Sequence, residues 1–451
     1  MRKILIVTQR FYPDPGVGAV RMTQWAKWLP KHGWIPIIAC GNYGFPIDRE
    51  EIPDLIHPDA EIIYLNERAE TGTPEKTSWK GRLRSVAIGM LGSEIVGARP
   101  QNPILRSAKD IATQFAATRG KAAETAFWHK TRDRIVELVR FHRPEVVITS
   151  APPVALHDIG LHLKKEFPEL LWVADFRDVY RQAGRYRVGL LQSYGSRKSL
   201  ASEAAIYRAA DRIICTIPAH QRWIRKRFCE NAHKTAVIFN GAPEELCERV
   251  RECGGSNQEN FVKVVGFSEA GESVLLAKAV AEIRKTGESV KLKFVGKLPS
   301  VKPEIEGVLG GGVVFTGAVR HDQALDEIVS ARVLVAVLSE NRSRIPAIAS
   351  KLFEYLAVPA PVVILNPSNA ARTMFSRMPG VWMLTKPTPA DIEAALQAAL
   401  GMPVDALSAR AALVREKWSR RSQVAQLASI LDDLAERRDM LPGPAQAASG
   451  R

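Results

Sequence analysis

The sequence has few cysteines and no long hydrophobic run. Its 451 residues include five cysteines, an odd number at scattered positions with no CxxC spacing. They are Cys40, Cys215, Cys229, Cys247 and Cys253. This usage predicts neither a disulfide nor a zinc site and fits a reducing compartment. No stretch of about 18 apolar residues lacks charge, and the N-terminal MRKILIVTQRF turns polar too early for a signal peptide. We therefore expect a soluble, cytoplasmic chain.

Negative charge is also scarce. The 48 acidic residues stand against 63 lysines and arginines, which gives a formal net charge of +15. Such an excess favours an anionic partner, which can be nucleic acid, an acidic membrane or a phosphate-rich substrate. Because aromatic base-stacking motifs are missing, we expect no nucleic-acid partner.

The chain is too long for one hydrophobic core, so its length favours two domains of roughly 200 residues each. Seven short β-branched runs alternate with amphipathic stretches and begin at Lys3, Ile35, Glu61, Glu145, Leu170, Arg212 and Thr235. Five more begin at Phe261, Val290, Gly311, Arg332 and Ala360. Alternating strands and helices form parallel βαβ units, and continuous apolar strands indicate sheets covered on both faces.

We therefore expect an α/β fold of two tandem Rossmann-like, doubly wound domains, at 1–243 and 261–401. The polar stretch 244–260 is predicted as a linker and 402–438 as C-terminal helices. Residues 439–451 are predicted as a disordered tail.

A basic segment near 71–135 interrupts the strand–helix alternation. Within Trp79 to Arg99, basic residues and a tryptophan precede an apolar helical face, a pattern that an interfacial helix uses on anionic lipid. The alternative is an ordinary helix that packs on the sheet and exposes a basic edge. Both interpretations stay open, and an anionic membrane surface is a possible partner.

Loops that follow parallel strands are candidate ligand sites. In TQRFYPDPGVGAVRM, Gly16 and Gly18 allow close backbone approach, and Arg21 lies one turn into the following helix. Together these features favour a phosphate or a sugar, although a turn that needs glycine gives the same pattern.

Three further loops carry polar residues after strands. His157 in SAPPVALHDIG can exchange a proton near neutral pH or can be a structural residue. Asp175 and Asp178 in VADFRDVY form a carboxylate pair of the kind that binds magnesium, but Arg177 between them offers neutralisation, so we expect no metal. In IFNG, Asn240 and the following glycine tolerate a positive φ.

The order of these motifs resembles that of family 4 glycosyltransferases of bacterial polysaccharide synthesis. The motifs are KILIVTQRFYPDPGVGAVRM, SAPPVALHDIGL, WVADFRD, ADRIICT, IFNG, FTGAVRHDQALDEIVSARVLVAVL and ASKLFEYLAVPAPVVIL. The resemblance implies a glycosyltransferase-B fold, in which two Rossmann-like domains face each other across a cleft. It places a saccharide or lipid-linked acceptor toward the first domain and a sugar nucleotide toward the second. It also implies retaining transfer without a metal or cofactor, from a UDP-sugar or GDP-sugar.

The resemblance assigns roles to several residues. Glu354 would bind the ribose hydroxyls of the sugar nucleotide, and Ser350 and Lys351 would lie at the helix start near its diphosphate, a charge that a helix N-terminus favours. Gly317 would also line the nucleotide-sugar site. His157 is the catalytic candidate, near the acceptor and the reacting sugar.

Two departures affect these assignments. Pro346 stands where the family usually has a second glutamate, and the loop SEAGES, Ser268 to Ser273, has acids where basic residues commonly grip the diphosphate. Acids there would repel phosphate. The candidate replacements are Lys278, Lys297, Arg320, Arg342 and Arg344. A non-catalytic scaffold subunit and a sugar-nucleotide epimerase therefore remain as alternative functions.

Overall fold

The computed structural model describes most of the chain. The described residues are 1–14, 16–41, 56–65, 126–178, 201–253, 259–266, 268–296, 301–338, 340, 347–403 and 405–440. Several predictions lie outside them, namely those for Trp79 to Arg99, Lys297, Arg342, Arg344, Pro346 and the tail from residue 441.

Seven strands form the first sheet, in the order β3-β2-β1-β4-β5-β6-β7. They are β1 (Arg2–Thr8), β2 (Trp34–Cys40), β3 (Glu61–Tyr64), β4 (Val146–Ala151), β5 (Leu171–Phe176), β6 (Arg212–Cys215) and β7 (Thr235–Val237). Each coincides with one of the seven predicted runs. In the parallel registers, Thr8 lies opposite Ser150, and Ser150 lies opposite Asp175. The carboxyl ends of β1, β4 and β5 are therefore level with one another.

Six strands form the second sheet, in the order β10-β9-β8-β11-β12-β13. They are β8 (Glu259–Val265), β9 (Lys291–Val295), β10 (Val313–Phe315), β11 (Ala331–Val337), β12 (Val362–Leu365) and β13 (Val381–Leu384). All their pairs are parallel. Sequence reasoning missed β13, because its apolar run is only four residues long and is not rich in β-branched residues.

Helices connect the strands. Those of the first half are Val17–Trp28, 126–142, Ala155–Glu166, 201–209, Pro218–Arg227 and Glu244–Cys253. Those of the second half are Ala270–Lys285, Lys302–Leu309, His321–Val329, Lys351–Leu356, Asn369–Phe375, Pro389–Leu400, Asp405–Trp418 and Arg420–Asp439. The last two occupy the region predicted for C-terminal helices.

The predicted linker is largely helical. Helix Glu244–Cys253 fills the first part of 244–260, and β8 already begins at Glu259. Leu246, Cys247 and Val250 are buried along one helical face. The polar composition of this stretch reflects the exposed face of an amphipathic helix, and the assignment of 244–260 as a linker stays a prediction.

Side chains cover both faces of the strands, as doubly wound sheets require. In β11, Val333 and Val335 belong to one hydrophobic cluster, and Leu334 and Ala336 belong to another on the opposite face. In the first sheet, Leu5 and Val7 of β1 share a cluster with Trp128 of helix 126–142. The first part of this helix, 126–135, is the described end of the predicted basic segment. There the segment packs on the sheet as an ordinary helix does.

By mutual contact the described residues group into two compact units. The first comprises those within Met1–Arg177, Ala205–Arg212 and Leu434–Arg451. The second comprises those within Asp178–Ala204 and Ile213–Asp433. Within the part of the chain that the structure describes, no helix is both long enough and apolar enough to cross a membrane.

Candidate functional site

The carboxyl edge of the first sheet holds a buried ion pair. Nη2 of Arg21 donates to Oδ1 of Asp175 at 3.0 Å, and the Ser150 hydroxyl donates to Oδ2 at 2.7 Å. The Arg21 guanidinium also lies 4.7 Å from the Trp25 ring centroid. Arg21 is therefore the neutralising partner of Asp175, which corrects the expectation that Arg177 has this role. Sequence distance concealed the pair, since 154 positions separate the two residues.

Arg177 instead connects the start of helix Val17–Trp28 to the loop after β4. Its guanidinium donates to the carbonyls of Ala151 and Pro152 at 3.3 and 3.1 Å. It also lies over Gly18, where an added Cβ would be 1.7 Å from Nη1 of Arg177. The structure thus brings Gly18 of that helix, the loop after β4 and the FRD loop together. Gly18 is required because a guanidinium occupies the space of a side chain.

The preceding glycine, Gly16, belongs to a tight local turn. Its backbone N–H donates to Oδ1 of Asp14 at 2.7 Å, while the other oxygen of Asp14 accepts from Arg10 at 2.6 Å. A Cβ at Gly16 would lie 2.9 Å from Oδ1 of Asp14. Gly16 therefore fits the turn interpretation that the sequence left open.

His157 is fully buried in the first turn of helix Ala155–Glu166. Its Nδ1 lies 2.8 Å from the Thr149 hydroxyl, which accepts a hydrogen bond from the Trp172 indole at 2.9 Å. Burial, with a smaller effect of the positive charge of Arg177, lowers the pKa of His157 to about 3. The ring is thus a neutral imidazole at physiological pH. This geometry favours the structural role over the predicted proton exchange.

Asp175 and Asp178, which the sequence suggested as a carboxylate pair, lie in different environments. Asp175 is buried and both of its oxygens are hydrogen-bonded, whereas Asp178 is exposed. Among the described residues, no group of three histidine, cysteine, aspartate or glutamate side chains is arranged to hold a metal ion.

Asn240 and Gly241 form a sharp turn within the second unit. Gly241 has φ 70°, and a Cβ there would lie 2.8 Å from the carbonyl oxygen of Trp418. Backbone hydrogen bonds of 2.8 Å join Ala242 to Trp418 and to Arg420. Asn240 is half-buried beside this turn. The predicted left-handed glycine is confirmed, and it fixes the entry into the last helix.

Helix Lys351–Leu356 presents the three residues that the resemblance singles out. Its other side chains, Leu352, Phe353, Tyr355 and Leu356, are buried. Ser350, Lys351 and Glu354 are half-buried and share one face, because residues three or four apart are neighbours on a helix. The helix begins after β11, at the carboxyl edge of the second sheet. The structure therefore brings these three residues together at the edge where ligands of such sheets bind.

One oxygen of the Glu354 carboxylate is hydrogen-bonded to an arginine. Oε1 accepts from Nη2 of Arg420 at 3.3 Å, and the side chains are 17% and 9% exposed respectively. Sequence reasoning missed Arg420. No spacing could reveal it, because it lies 66 positions away in another helix.

Three glycines line the same edge of the second sheet at the ends of neighbouring strands. Gly266 follows β8, Gly296 follows β9 and Gly317 closely follows β10, with φ values of 85°, 106° and 74°. The N–H of Gly296 donates to the Gly317 carbonyl at 2.9 Å. No atom lies within 4 Å of a Cβ built on Gly266 or Gly317. Side chains are thus missing where a planar ligand could approach the backbone. Gly317 is three strand positions from β11, on the far side of β8.

The SEAGES segment was predicted as a loop, but helix Ala270–Lys285 begins within it, and its two carboxylates differ. Oε1 of Glu272 accepts from the backbone N–H of Glu340 at 3.2 Å and from the Asn366 amide at 3.0 Å. Glu272 therefore connects the ends of β11 and β12. Glu269 precedes helix Ala270–Lys285 and makes no side-chain capping bond. One of the two acids thus has a structural function that the sequence did not reveal.

Two of the proposed basic replacements are described. Lys278 is exposed on helix Ala270–Lys285. Arg320 is exposed and donates to both oxygens of Asp322, at 3.2 and 3.0 Å. Asp322 therefore already neutralises Arg320, which weakens its candidacy as a phosphate ligand.

Comparisons with known proteins agree with this geometry. Residues 259–401 match the family model described as "Glycosyl transferases group 1". This segment contains the second sheet, the glycine edge and Glu354. No curated protein sequence matches the chain.

Solved structures resemble nearly the whole chain. A glycosyltransferase from Rickettsia africae ESF-5 has a TM-score of 0.59 at 12% identity, covering 96% of this chain and 98% of that one. Anabaena Alr3699/HepE in complex with UDP has a TM-score of 0.56 at 14% identity, covering 96% and 100%. UDP-GlcNAc 2-epimerase from Neisseria meningitidis, bound to UDP-GlcNAc, has a TM-score of 0.56 at 10% identity, covering 96% and 100%. At these identities the likeness is one of fold. The chain has the two-sheet α/β glycosyltransferase-B fold, and its residues 259–401 match the group 1 glycosyltransferases.

Proposed function

We propose that the protein is a retaining, metal-independent glycosyltransferase of the family 4 type. It moves a sugar from a UDP-sugar or GDP-sugar to a saccharide or lipid-linked acceptor in cell-surface polysaccharide synthesis. The observation that carries this proposal is the half-buried face of helix Lys351–Leu356 that holds Ser350, Lys351 and Glu354. It presents a carboxylate, a hydroxyl and a lysine together within the segment that matches group 1 glycosyltransferases.

The chemistry of this face suits a nucleoside diphosphate. A carboxylate accepts short hydrogen bonds from vicinal ribose hydroxyls, so Glu354 binds the ribose. Ser350 and Lys351 are placed to meet the diphosphate, where a positive charge stabilises the developing leaving group. The glycine edge, including Gly317, leaves room for the base. Two relatives in fold, Alr3699/HepE and the epimerase, bind UDP and UDP-GlcNAc respectively, which supports this class of ligand.

The acceptor is proposed to bind at the carboxyl edge of the first sheet. Arg177 and Gly18 meet there, and the guanidinium of Arg177 supplies a positive charge toward an acceptor phosphate. Asp178 and Asn240 are the remaining candidates for acceptor or sugar contacts. The net charge of +15 supports a peripheral position on the inner face of the cytoplasmic membrane. Deleting residues 79–99 should release the protein from anionic vesicles, and unchanged vesicle binding would contradict this location.

Calorimetry without metal tests the donor site. The purified protein is titrated with UDP, GDP and their sugar conjugates in the presence of a chelator. We expect one nucleotide to bind saturably and Glu354→Gln to weaken it about tenfold or more, the effect of losing a charge-assisted hydrogen bond. Glu282→Gln is the matched control, because Glu282 is an exposed glutamate paired with Lys285 on another helix of the same unit. Failure of every nucleotide to bind would refute the proposal.

Two observations favour second candidates. The likeness to UDP-GlcNAc 2-epimerase supports an epimerase, which would convert a UDP-sugar without any acceptor. Incubating each sugar nucleotide alone and analysing the products separates the two activities. The acidic SEAGES segment supports a non-catalytic scaffold, which would show no turnover for Glu354→Gln to abolish.

A further inference from the structure

Arg420 is the buried partner of the proposed ribose-binding carboxylate. It is the first residue of helix Arg420–Asp439, and its side chain extends to helix Lys351–Leu356. Its side chain is 9% exposed, although arginine side chains are normally solvated. A guanidinium at this depth requires a nearby anion, and its hydrogen-bonded acceptor is Glu354.

The backbone of Arg420 is fixed before any ligand binds. Its N–H donates to the Ala242 carbonyl at 2.8 Å, and the N–H of Ala242 donates to the Trp418 carbonyl at 2.8 Å. Gly241 permits this close approach, since a Cβ there would lie 3.0 Å from the nitrogen of Arg420. The guanidinium therefore starts from a rigid anchor, which is how a supporting residue holds a binding group in place.

Arg420 remains ionised in this buried position. Burial lowers the pKa of Arg420, and the negative charges of Glu354 and Glu245 oppose this effect. The guanidinium stays protonated because its pKa starts far above neutrality. It thus provides a fixed positive charge within 3.3 Å of Glu354.

Only one oxygen of the carboxylate is engaged. Oε1 accepts from Arg420, and among the described residues no donor reaches Oε2. Since an ionised carboxylate accepts through both oxygens, Oε2 remains as an acceptor for a ligand hydroxyl.

We propose that Arg420 is a positioning residue for the nucleotide site, which orients Glu354 so that Oε2 accepts a hydrogen bond from a ribose hydroxyl of a nucleoside diphosphate. The inference rests on the proposed function, because Glu354 must contact ribose for Arg420 to act through it. A purely structural salt bridge would stabilise the two helices, but its removal would not change the relative affinities for ribonucleotides and 2′-deoxyribonucleotides.

The test compares nucleotides that differ by one ribose hydroxyl. Affinities for UDP and 2′-deoxy-UDP are measured by calorimetry, or for GDP and 2′-deoxy-GDP if the guanine nucleotide is the one that binds. We expect the wild type to prefer the ribonucleotide by about tenfold or more, as the loss of one charge-assisted hydrogen bond implies. Arg420→Met and Glu354→Gln should each reduce this preference to about twofold or less. The double variant should show no further reduction, because the two residues act as one unit.

Arg415→Met is the matched control. Nη1 of Arg415 donates to the carbonyl of Ala357, at the end of the same short helix, at 2.7 Å. This variant should lower the unfolding midpoint while leaving the preference for the ribonucleotide intact. Arg420→Lys keeps the positive charge, as a single ammonium without the planar fork of arginine, and should retain a partial preference for the ribonucleotide. This second variant keeps the test valid if Arg420→Met fails to fold.

The possible outcomes are distinct. If Arg420→Met and Arg420→Lys weaken both nucleotides equally and the ribonucleotide preference persists, the positioning role is refuted while the proposed donor site stands. If the wild type binds no nucleotide, the proposed function falls and this inference falls with it. A reduced preference in Arg420→Met together with an unchanged one in Arg415→Met supports the positioning role.

Discussion

Arg21 and Asp175 form an ion pair in the interior of the first unit. Nη2 of Arg21 lies 3.0 Å from Oδ1 of Asp175, and the two side chains are 2% and 0% exposed. The second oxygen of Asp175 accepts from Ser150, so the carboxylate is fully used. The pair connects helix Val17–Trp28 to the end of β5. It therefore holds in place the helix that carries Gly18 and the loop that carries Arg177.

Removing the carboxylate should destabilise the protein strongly. Asp175→Ala leaves the Arg21 guanidinium buried without an anion, which costs about 3–5 kcal/mol. Urea unfolding should show a large fall in the midpoint of the first unit. Glu137→Gln is the control, because the pair Arg134–Glu137 is 61% exposed at both side chains and contributes at most about 1 kcal/mol. Equal shifts in the two variants would contradict a buried pair.

Stability should fall in mild acid because two histidines are buried as neutral rings. Burial, followed by the charge of Arg177, lowers the pKa of His157 to about 3, and burial lowers that of His220 to about 4. An unfolded histidine titrates near 6.5, so the unfolded state binds more protons than the folded state from about pH 6.5 downward. Each histidine should destabilise the fold by about 1.4 kcal/mol per pH unit in this window.

Unfolding midpoints at pH 7 and pH 5 test this acid sensitivity. His157→Gln should reduce the loss between the two values by about 2 kcal/mol, while His32→Gln, at an exposed position, should not change it. If the wild type is equally stable at both values, His157 is not a buried neutral ring. The proton-exchange role predicted from the sequence would then regain support.

Gly18→Ala should displace Arg177 without affecting the donor site. The new Cβ would lie 1.7 Å from Nη1 of Arg177, so the guanidinium must leave the carbonyls of Ala151 and Pro152. We expect sugar transfer to fall by about tenfold or more, as misplacement of a positioning group by about 1 Å does. Nucleotide affinity should be unchanged. Gly307→Ala is the control, because no atom lies within 4 Å of its built Cβ and the helix gains stability.

Strand content could be read from the sequence because buried parallel strands are continuous apolar runs. The twelve predicted runs are all strands, whereas β13 was missed since Val381–Leu384 is short and not rich in β-branched residues. Composition alone did not reveal helix Glu244–Cys253 within the stretch 244–260. A pattern of polar residues does not distinguish an exposed helical face from an irregular segment.

The candidate site could be predicted only in part. Glu354, Ser350 and Lys351 share one face because their spacing matches the helical period, which is visible in the sequence. Their partners were not visible. Arg420 reaches Glu354, and Arg21 reaches Asp175, across long stretches of chain that only tertiary folding brings together. Local patterns therefore identify side chains that share a helical face better than the distant side chains that hold them.

Removing Glu272 should lower the stability of the protein, whereas removing Glu269 should raise its affinity for a nucleotide. Glu272 accepts from the Glu340 backbone and the Asn366 amide, so Glu272→Ala leaves two donors without an acceptor and should cost about 1–3 kcal/mol of stability. Nucleotide affinity should not rise. The midpoint of urea unfolding and the calorimetric Kd for UDP are measured on the same protein samples.

Glu269→Ala should leave stability nearly unchanged and strengthen the binding of UDP. The Glu269 side chain makes no capping bond, so its loss should leave stability within about 0.5 kcal/mol. If one unit of negative charge on a bound diphosphate lies about 8 Å away, removing the Glu269 charge at an effective dielectric constant of about 40 gains about 1 kcal/mol. That gain is about fivefold in Kd for UDP. A stronger affinity in Glu272→Ala than in Glu269→Ala would mean that Glu272 faces the diphosphate and that its bonds to the strand ends are secondary.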